Sequence, residues 1–222
     1  MRKRIFFVIV IFVLIISNVS MPAAAGNFTN FQKINIYAVG QFTDVPNSEW
    51  YASNVQLAYE YGLIHGKSPT TFEPSSFLTI AEAIKLAVCL HSIYHNGYVT
   101  VTNGDPWYGP YVYYAISNDI ISPVYANYED FATRADFAVI FANALPDDAF
   151  GTMNRVADYA VLDVPMNYSY SAAVYKLYRA GILTGSDEKG LFLPGRYITR
   201  SEVAAIVTRM ANPDYRRSVV LG

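Results

Sequence analysis

The stretch YITRSEVAAIV, residues 197–207, sets a threonine three residues ahead of an acid and then runs on in apolar residues. The same arrangement stands at ATRADFAVI (132–140) and at LTIAEAIKL (78–86). Thr79, Thr133 and Thr199 are each expected at the N-cap of a helix, with Glu82, Asp136 and Glu202 at N3. That pair makes a capping box, which satisfies backbone N–H groups left unpaired at a helix start. The acid also sits favourably at the positive end of the helix dipole. Behind each start the apolar residues keep one frame: Ala83, Leu86, Ala87, Leu90; Phe137, Ile140, Phe141, Ala144; Val203, Ile206, Val207, Met210. This i, i+3, i+4, i+7 spacing is one face of a helix.

A helix start written three times points to an internal repeat. FTDVPNSEWYASNVQLAYEYGLIHG (42–66) aligns with VLDVPMNYSYSAAVYKLYRAGILTG (161–185), placing Asp44 on Asp163, Pro46 on Pro165, Tyr51 on Tyr170 and Gly62 on Gly181. Gly66, Phe72 and Pro74 answer to Gly185, Phe192 and Pro194 further on. A more worn copy lies between them. It keeps Trp107-Tyr108 where the first has Trp50-Tyr51, but lacks Asp-Val-Pro, carries Asp119 in place of the glycine, and has a shorter loop. Each copy reads as helix, loop, helix: Trp50 to Tyr61 is free of Gly and Pro, Gly62 is a helix stop, and the Gly/Ser/Pro-rich stretch to Phe77 is a loop with a short strand around Phe72. The fold class is therefore all-α. One helix pair is too small to bury its apolar stripe; three packed together are not.

Arg2, Lys3 and Arg4, the apolar run Ile5 to Ile16, and Pro22-Ala23-Ala24-Ala25 read as a secretory signal cleaved after Ala25. Without it, 13 basic residues face 18 acidic ones, a balance of −5 that disfavours nucleic-acid binding. A single cysteine, Cys89, excludes an internal disulfide and reads as a small buried hydrophobe. The expected divisions are signal 1–25, lead 26–41, repeats 42–98, 99–155 (degenerate) and 156–211, and tail 212–222. The processed chain is expected to be exported and free of the membrane.

Capping explains the Thr and the acid but not Arg134 and Arg200, which stand at the first helical position, where a cation opposes the dipole. One reading pairs each with a surface carboxylate. The other is an anion site, where free N–H groups at the helix start and an Arg fork converge on a carboxylate or phosphate. Trp50 and Trp107 read either as packing residues at a helix start or as stacking platforms for a sugar. Asp44 and Asp163 are expected to cap the turn into the first helix of their copies. His91 and His95 have metal-ligand spacing but no third ligand, and read as exposed helix-end residues. Neither a nucleophile elbow nor a phosphate-binding Gly-rich loop is present, so no enzyme, cofactor or metal is expected.

FTDVPNSEW, GLIHG, FEP and ITRSE, in this order and spacing, resemble the S-layer homology domain of bacterial cell-surface proteins, over three consecutive copies from about Phe42 to Met210. The resemblance implies a pseudo-threefold spindle around a central three-helix bundle, as a monomer. It also implies non-covalent attachment to secondary cell-wall polysaccharide, with a pyruvylated sugar held in grooves between copies. The Arg of the Thr-Arg-Ala-Glu motif would meet the ketal carboxylate, and the loop with Gly66 or Gly185 would border the groove. Arg134, Arg200, Thr133, Thr199, Trp50, Trp107, Gly66 and Gly185 are accordingly the expected ligand-binding residues. Ile80 replaces the Arg in the first copy and Ser169 the Trp in the third, so at most two competent grooves are expected. The alternative is a protein-interaction module that binds other surface proteins on the same scaffold. Replacing any one of the three capping threonines with Ala is expected to lower stability by about 0.5–2 kcal/mol in denaturant unfolding.

Overall fold

The computed structural model describes residues 26–122 and 125–221; the expected signal segment lies outside them. The described residues form α1 (Ala52–Glu60), α2 (Ile80–Asn96), α3 (Gly109–Ser117), α4 (Arg134–Ala142), α5 (Asp147–Phe150), α6 (Ser171–Arg179) and α7 (Arg200–Ala211), with short 3-10 turns at Phe28–Asn30 and Pro213–Tyr215. The fold is mainly helical, as the sequence predicts. The strand expected around Phe72 does not form; among the described residues, extended pairing is limited to three isolated bridges, Phe77 with Thr199, Thr79 with Phe131, and Thr133 with Tyr197. No described helix is long and apolar enough to cross a membrane.

All three capping boxes are present, at Thr79/Glu82, Thr133/Asp136 and Thr199/Glu202. The N–H groups of the first two helical residues are satisfied from another part of the chain. Ile80 and Ala81 donate to the carbonyls of Asp130 and Tyr128; Arg134 and Ala135 to those of Arg196 and Pro194; Arg200 and Ser201 to those of Ser76 and Pro74. The residues ahead of the caps close a ring: Leu78 N–H donates to Ile198 O (3.4 Å), Ile198 N–H to Ala132 O (3.2 Å), and Ala132 N–H to Leu78 O (2.9 Å). Phe77, Phe131 and Tyr197 stand over this ring with centroids 5.5–5.6 Å apart, a triangle of half-exposed aromatic rings. The three segments are thus joined head to tail around a pseudo-threefold axis.

The first helix of each segment does not rest on the second helix of the same segment. Instead α1 packs on α7, α3 on α2, and α6 on α4, while α2 also touches both α4 and α7. Each helix pair is completed by its neighbour, so the apolar stripes are covered only when all three segments are in place. All twelve residues of the repeated apolar frame are buried, together with Cys89. Gly62 and Gly181 take left-handed φ of 69° and 73° behind α1 and α6, and Asp119 takes 57° at the corresponding place behind α3. Asp tolerates that region better than most non-glycine residues, which explains the substitution there.

The lead segment belongs to the same pattern. Asn35 Nδ2 donates to Tyr59 O (2.8 Å) and Asn154 Nδ2 to Tyr178 O (2.9 Å), so the likeness between first and third segments extends upstream to these residues. The histidines differ from expectation. His91 is half-buried, with Nδ1 2.9 Å from Tyr114 Oη of α3 and its ring 4.4 Å from that of His95. Burial first, and the neighbouring His95 second, push its pKa down to about 4. The folded chain therefore favours neutral His91, whereas the unfolded chain titrates near 6.5. Its contribution is full above about pH 6.5, is lost as pH falls towards 4, and is flat below that. The melting temperature is expected to fall over this window and to fall less in His91→Gln, as followed by circular dichroism.

Candidate functional site

Three grooves run between the segments, in matching positions around the axis. The first, of about 300 Å³, is lined by Arg134 of the middle segment, by the Leu183–Ser186 loop with Glu202 and Arg209 of the third, and by Trp50 of the first. The second, of about 260 Å³, is lined by Arg200 of the third segment, by His65, Gly66, Lys67, Glu82 and Lys85 of the first, and by Trp107 of the middle one. A third, of about 520 Å³, is lined by Ser122 and Tyr125, by Asp136 and Asn143 of α4, and by Ser169 and Tyr170. The two arginine grooves thus draw on all three segments, and the third groove on the middle and last ones. The helix exchange explains this: the first helix of one segment lies on the second helix of another and carries its Trp there.

The arginines act as clamps between segments. Arg134 Nε donates to Phe192 O (2.6 Å) and Nη1 to Glu202 Oε1 (2.8 Å); Arg200 Nε donates to Phe72 O (2.8 Å) and Nη2 to His65 O (2.7 Å). Each guanidinium lies over an aromatic face, Phe192 at 5.0 Å and Phe72 at 4.6 Å. Arg134 and Arg200 are 4% and 7% exposed, far from the solvated surface pair considered from the sequence. Burial is the largest cause lowering both pKa values, opposed by Glu202 at Arg134 and by Glu82 at Arg200. One nitrogen of each fork, Nη2 of Arg134 and Nη1 of Arg200, has no protein hydrogen bond among the described residues.

Several sequence expectations change here. The anion site at the helix start does not exist as read, because its N–H groups are taken by neighbouring carbonyls and by the capping hydroxyls. Thr133 and Thr199 are used up in their caps and do not line either groove. Asp44 and Asp163 do not cap the turn into α1 or α6. Asp44 reaches forward to the N–H groups of Phe72 (2.8 Å) and Glu73 (2.7 Å), and Asp163 to those of Phe192 (2.9 Å) and Leu193 (2.6 Å). Glu73 and Leu193 both hold a left-handed φ, 59° and 58°, so the carboxylates fix strained loop backbone.

Each carboxylate thereby sets the carbonyl that its neighbour's arginine uses. Asp44, Phe72 and Arg200 form one such chain, and Asp163, Phe192 and Arg134 the other. The middle segment lacks the Asp and has Ala126 where the others have Phe72 and Phe192; the position that would reach it holds Ile80. All three members of the chain are lost together.

The remaining candidates fall on the grooves. Trp50 is 60% exposed and Trp107 half-buried, so neither is a core residue. A Cβ at Gly66 would come within 2.3 Å of Ser68 O, and one at Gly185 within 2.5 Å of Gly190 Cα, so both loops require glycine for close approach. Glu202 accepts from Arg134 and Arg196, and Glu82 pairs with Lys67 at 2.9 Å. No described group of His, Cys, Asp and Glu is placed to hold a metal ion.

The S-layer homology domain family matches residues 41–84 and 162–204, the two segments whose Asp, Phe and Gly positions agree. The surface-layer 125 kDa protein of Lysinibacillus sphaericus is 28% identical over 165 residues, covering 68% of this chain and 14% of that much longer protein.

Asp44→Ala and Arg200→Ala are expected to couple, with an interaction energy of about 0.5–3 kcal/mol in a double-mutant unfolding cycle. Asp44→Ala with Arg134→Ala, which act on different loops, is expected to be additive within about 0.5 kcal/mol.

Proposed function

We propose that the chain is a non-catalytic anchor, exported and held on the bacterial cell wall by pyruvylated secondary polysaccharide. The ligand would sit in the Arg134 and Arg200 grooves, with the middle segment as a third, worn copy of the repeat. The observation that carries this reading is the composition of the grooves. Two of them bring an arginine, a tryptophan and a close-packed loop glycine together from three different segments; the third has neither arginine nor tryptophan. The Nη of each arginine left without a protein hydrogen bond would receive the carboxylate, a strong charge-assisted bond. An exposed indole offers the flat apolar face on which a sugar ring stacks. The family match and the surface-layer relative support attachment at the cell surface.

A second reading rests on the burial of the same arginines. Their bonds to backbone carbonyls suit a purely structural role, which would leave the scaffold to a protein partner. Substituting the arginines alone would confuse binding with folding, whereas Trp50 is exposed and separates the two. Co-sedimentation with purified wall sacculi, before and after mild acid removes the polysaccharide and its ketals, tests both readings. Binding is expected to disappear with the polymer, and Trp50→Ala is expected to weaken it about 2- to 10-fold with the melting temperature nearly unchanged. Sedimentation indifferent to the polymer would sink the anchor reading and favour the protein partner.

A further inference from the structure

Arg209 lies on α7 seven residues beyond Glu202, so Glu202, Ala205, Ile206 and Arg209 form one helical face along the floor of the Arg134 groove. Its guanidinium is an anomaly. Nη1 donates to Ile182 O (2.8 Å), but Nε is buried without a hydrogen-bond partner. No carboxylate pairs with it among the described residues, which include every Asp and Glu of the chain. Burial, with Arg217 as the second cause, lowers its pKa to about 10. Arg134 in the same groove has Glu202; Arg209 has only a carbonyl. A buried donor without a partner and a charge without a counterion both cost stability. Nε itself is sealed from solvent, so a counterion entering by the groove would meet the guanidinium at Nη2, which has no protein hydrogen bond among the described residues.

We propose that Arg209 is a second anion-binding residue of this groove, so that the groove recognises a saccharide carrying two acidic groups on adjacent sugars. The inference rests on the reading of the groove as a glycan site. Arg134 meets one acidic group beside Glu202. Arg209 follows Glu202, the partner of Arg134, by two turns of α7, a rise of about 10 Å between the two backbone positions, and on this spacing the second acidic group is assigned to the next sugar rather than the same ring. The other two grooves lack this feature. Counting along the helices, Cys89 and Asn143 stand where α7 has Arg209. The Arg200 groove instead carries Lys85, held over Trp107 at 5.6 Å.

The chain has two tryptophans, one in each arginine groove. In a Trp107→Phe background, the fluorescence of Trp50 therefore reports the Arg134 groove alone. The probes are a pyruvylated N-acetylmannosamine glycoside, with one carboxylate, and the same sugar extended by a glucuronic acid residue, with two. The two-carboxylate probe is expected to bind about tenfold or more tightly, and Arg209→Gln to remove that advantage while leaving the one-carboxylate probe unchanged. Arg209→Lys is expected to restore part of it. Equal affinities in the parent chain, or an Arg209→Gln loss shared equally by both probes, would overturn the proposal while leaving the groove a glycan site. Binding of neither probe would overturn the glycan reading, and the proposal with it. Thermal unfolding without ligand supplies the control: a large loss in Arg209→Gln with the probe preference intact would assign Arg209 to the fold instead.

Discussion

Everything in this molecule hangs on how the N-terminal ends of α2, α4 and α7 find hydrogen-bond acceptors. A helix start leaves backbone N–H groups unpaired, and the cost of burying them is large. Here the capping boxes supply one acceptor at each end, and the loop of another segment supplies two more. Because every loop serves a neighbour's helix, the arrangement closes only as a ring of three. The Leu78, Ala132 and Ile198 bonds complete it, and Phe77, Phe131 and Tyr197 cover it. The exchange of first helices among segments follows the same logic: no segment covers its own apolar stripe.

The ring also explains why sequence losses occur in sets. An arginine at the first helical position matters only if the next loop offers a fixed carbonyl and an aromatic face. Asp44 and Asp163 fix those carbonyls by holding strained backbone; the middle segment has no such Asp and no such Phe. Ile80, which faces that segment's loop, is therefore a matched replacement rather than isolated decay, and it is buried at 7% like the arginines it replaces. The missing tryptophan at Ser169 falls on the same groove by the helix exchange.

Arg134 and Arg200 bind segments together and line the grooves at the same time. Two of the three guanidinium nitrogens fasten each side chain to its neighbour, and the third is left over. A donor held so rigidly would lose little freedom on meeting the proposed ligand, which is the advantage of a preorganised site. It also means that the groove cannot be rebuilt without loosening the fold.

The sequence by itself determined the two helices of each copy, the three capping boxes and the buried faces behind them, but not the short α5. Capping and periodicity are local: Thr79 with Glu82, or Val203 with Ile206, are written within a few residues of each other, and the structure has them as read. Cys89 and the glycine stops were legible for the same reason. What only the tertiary structure decided is which segment serves which. Asp44 meets Phe72 across 28 residues and Arg200 meets Phe72 across 128. The reach of Arg134 into the next segment, the placing of Trp50 beside it, and the orphaned Nε of Arg209 depend on ring closure and helix exchange. No spacing along the chain encodes these, because their partners become neighbours only once three segments have closed around one axis.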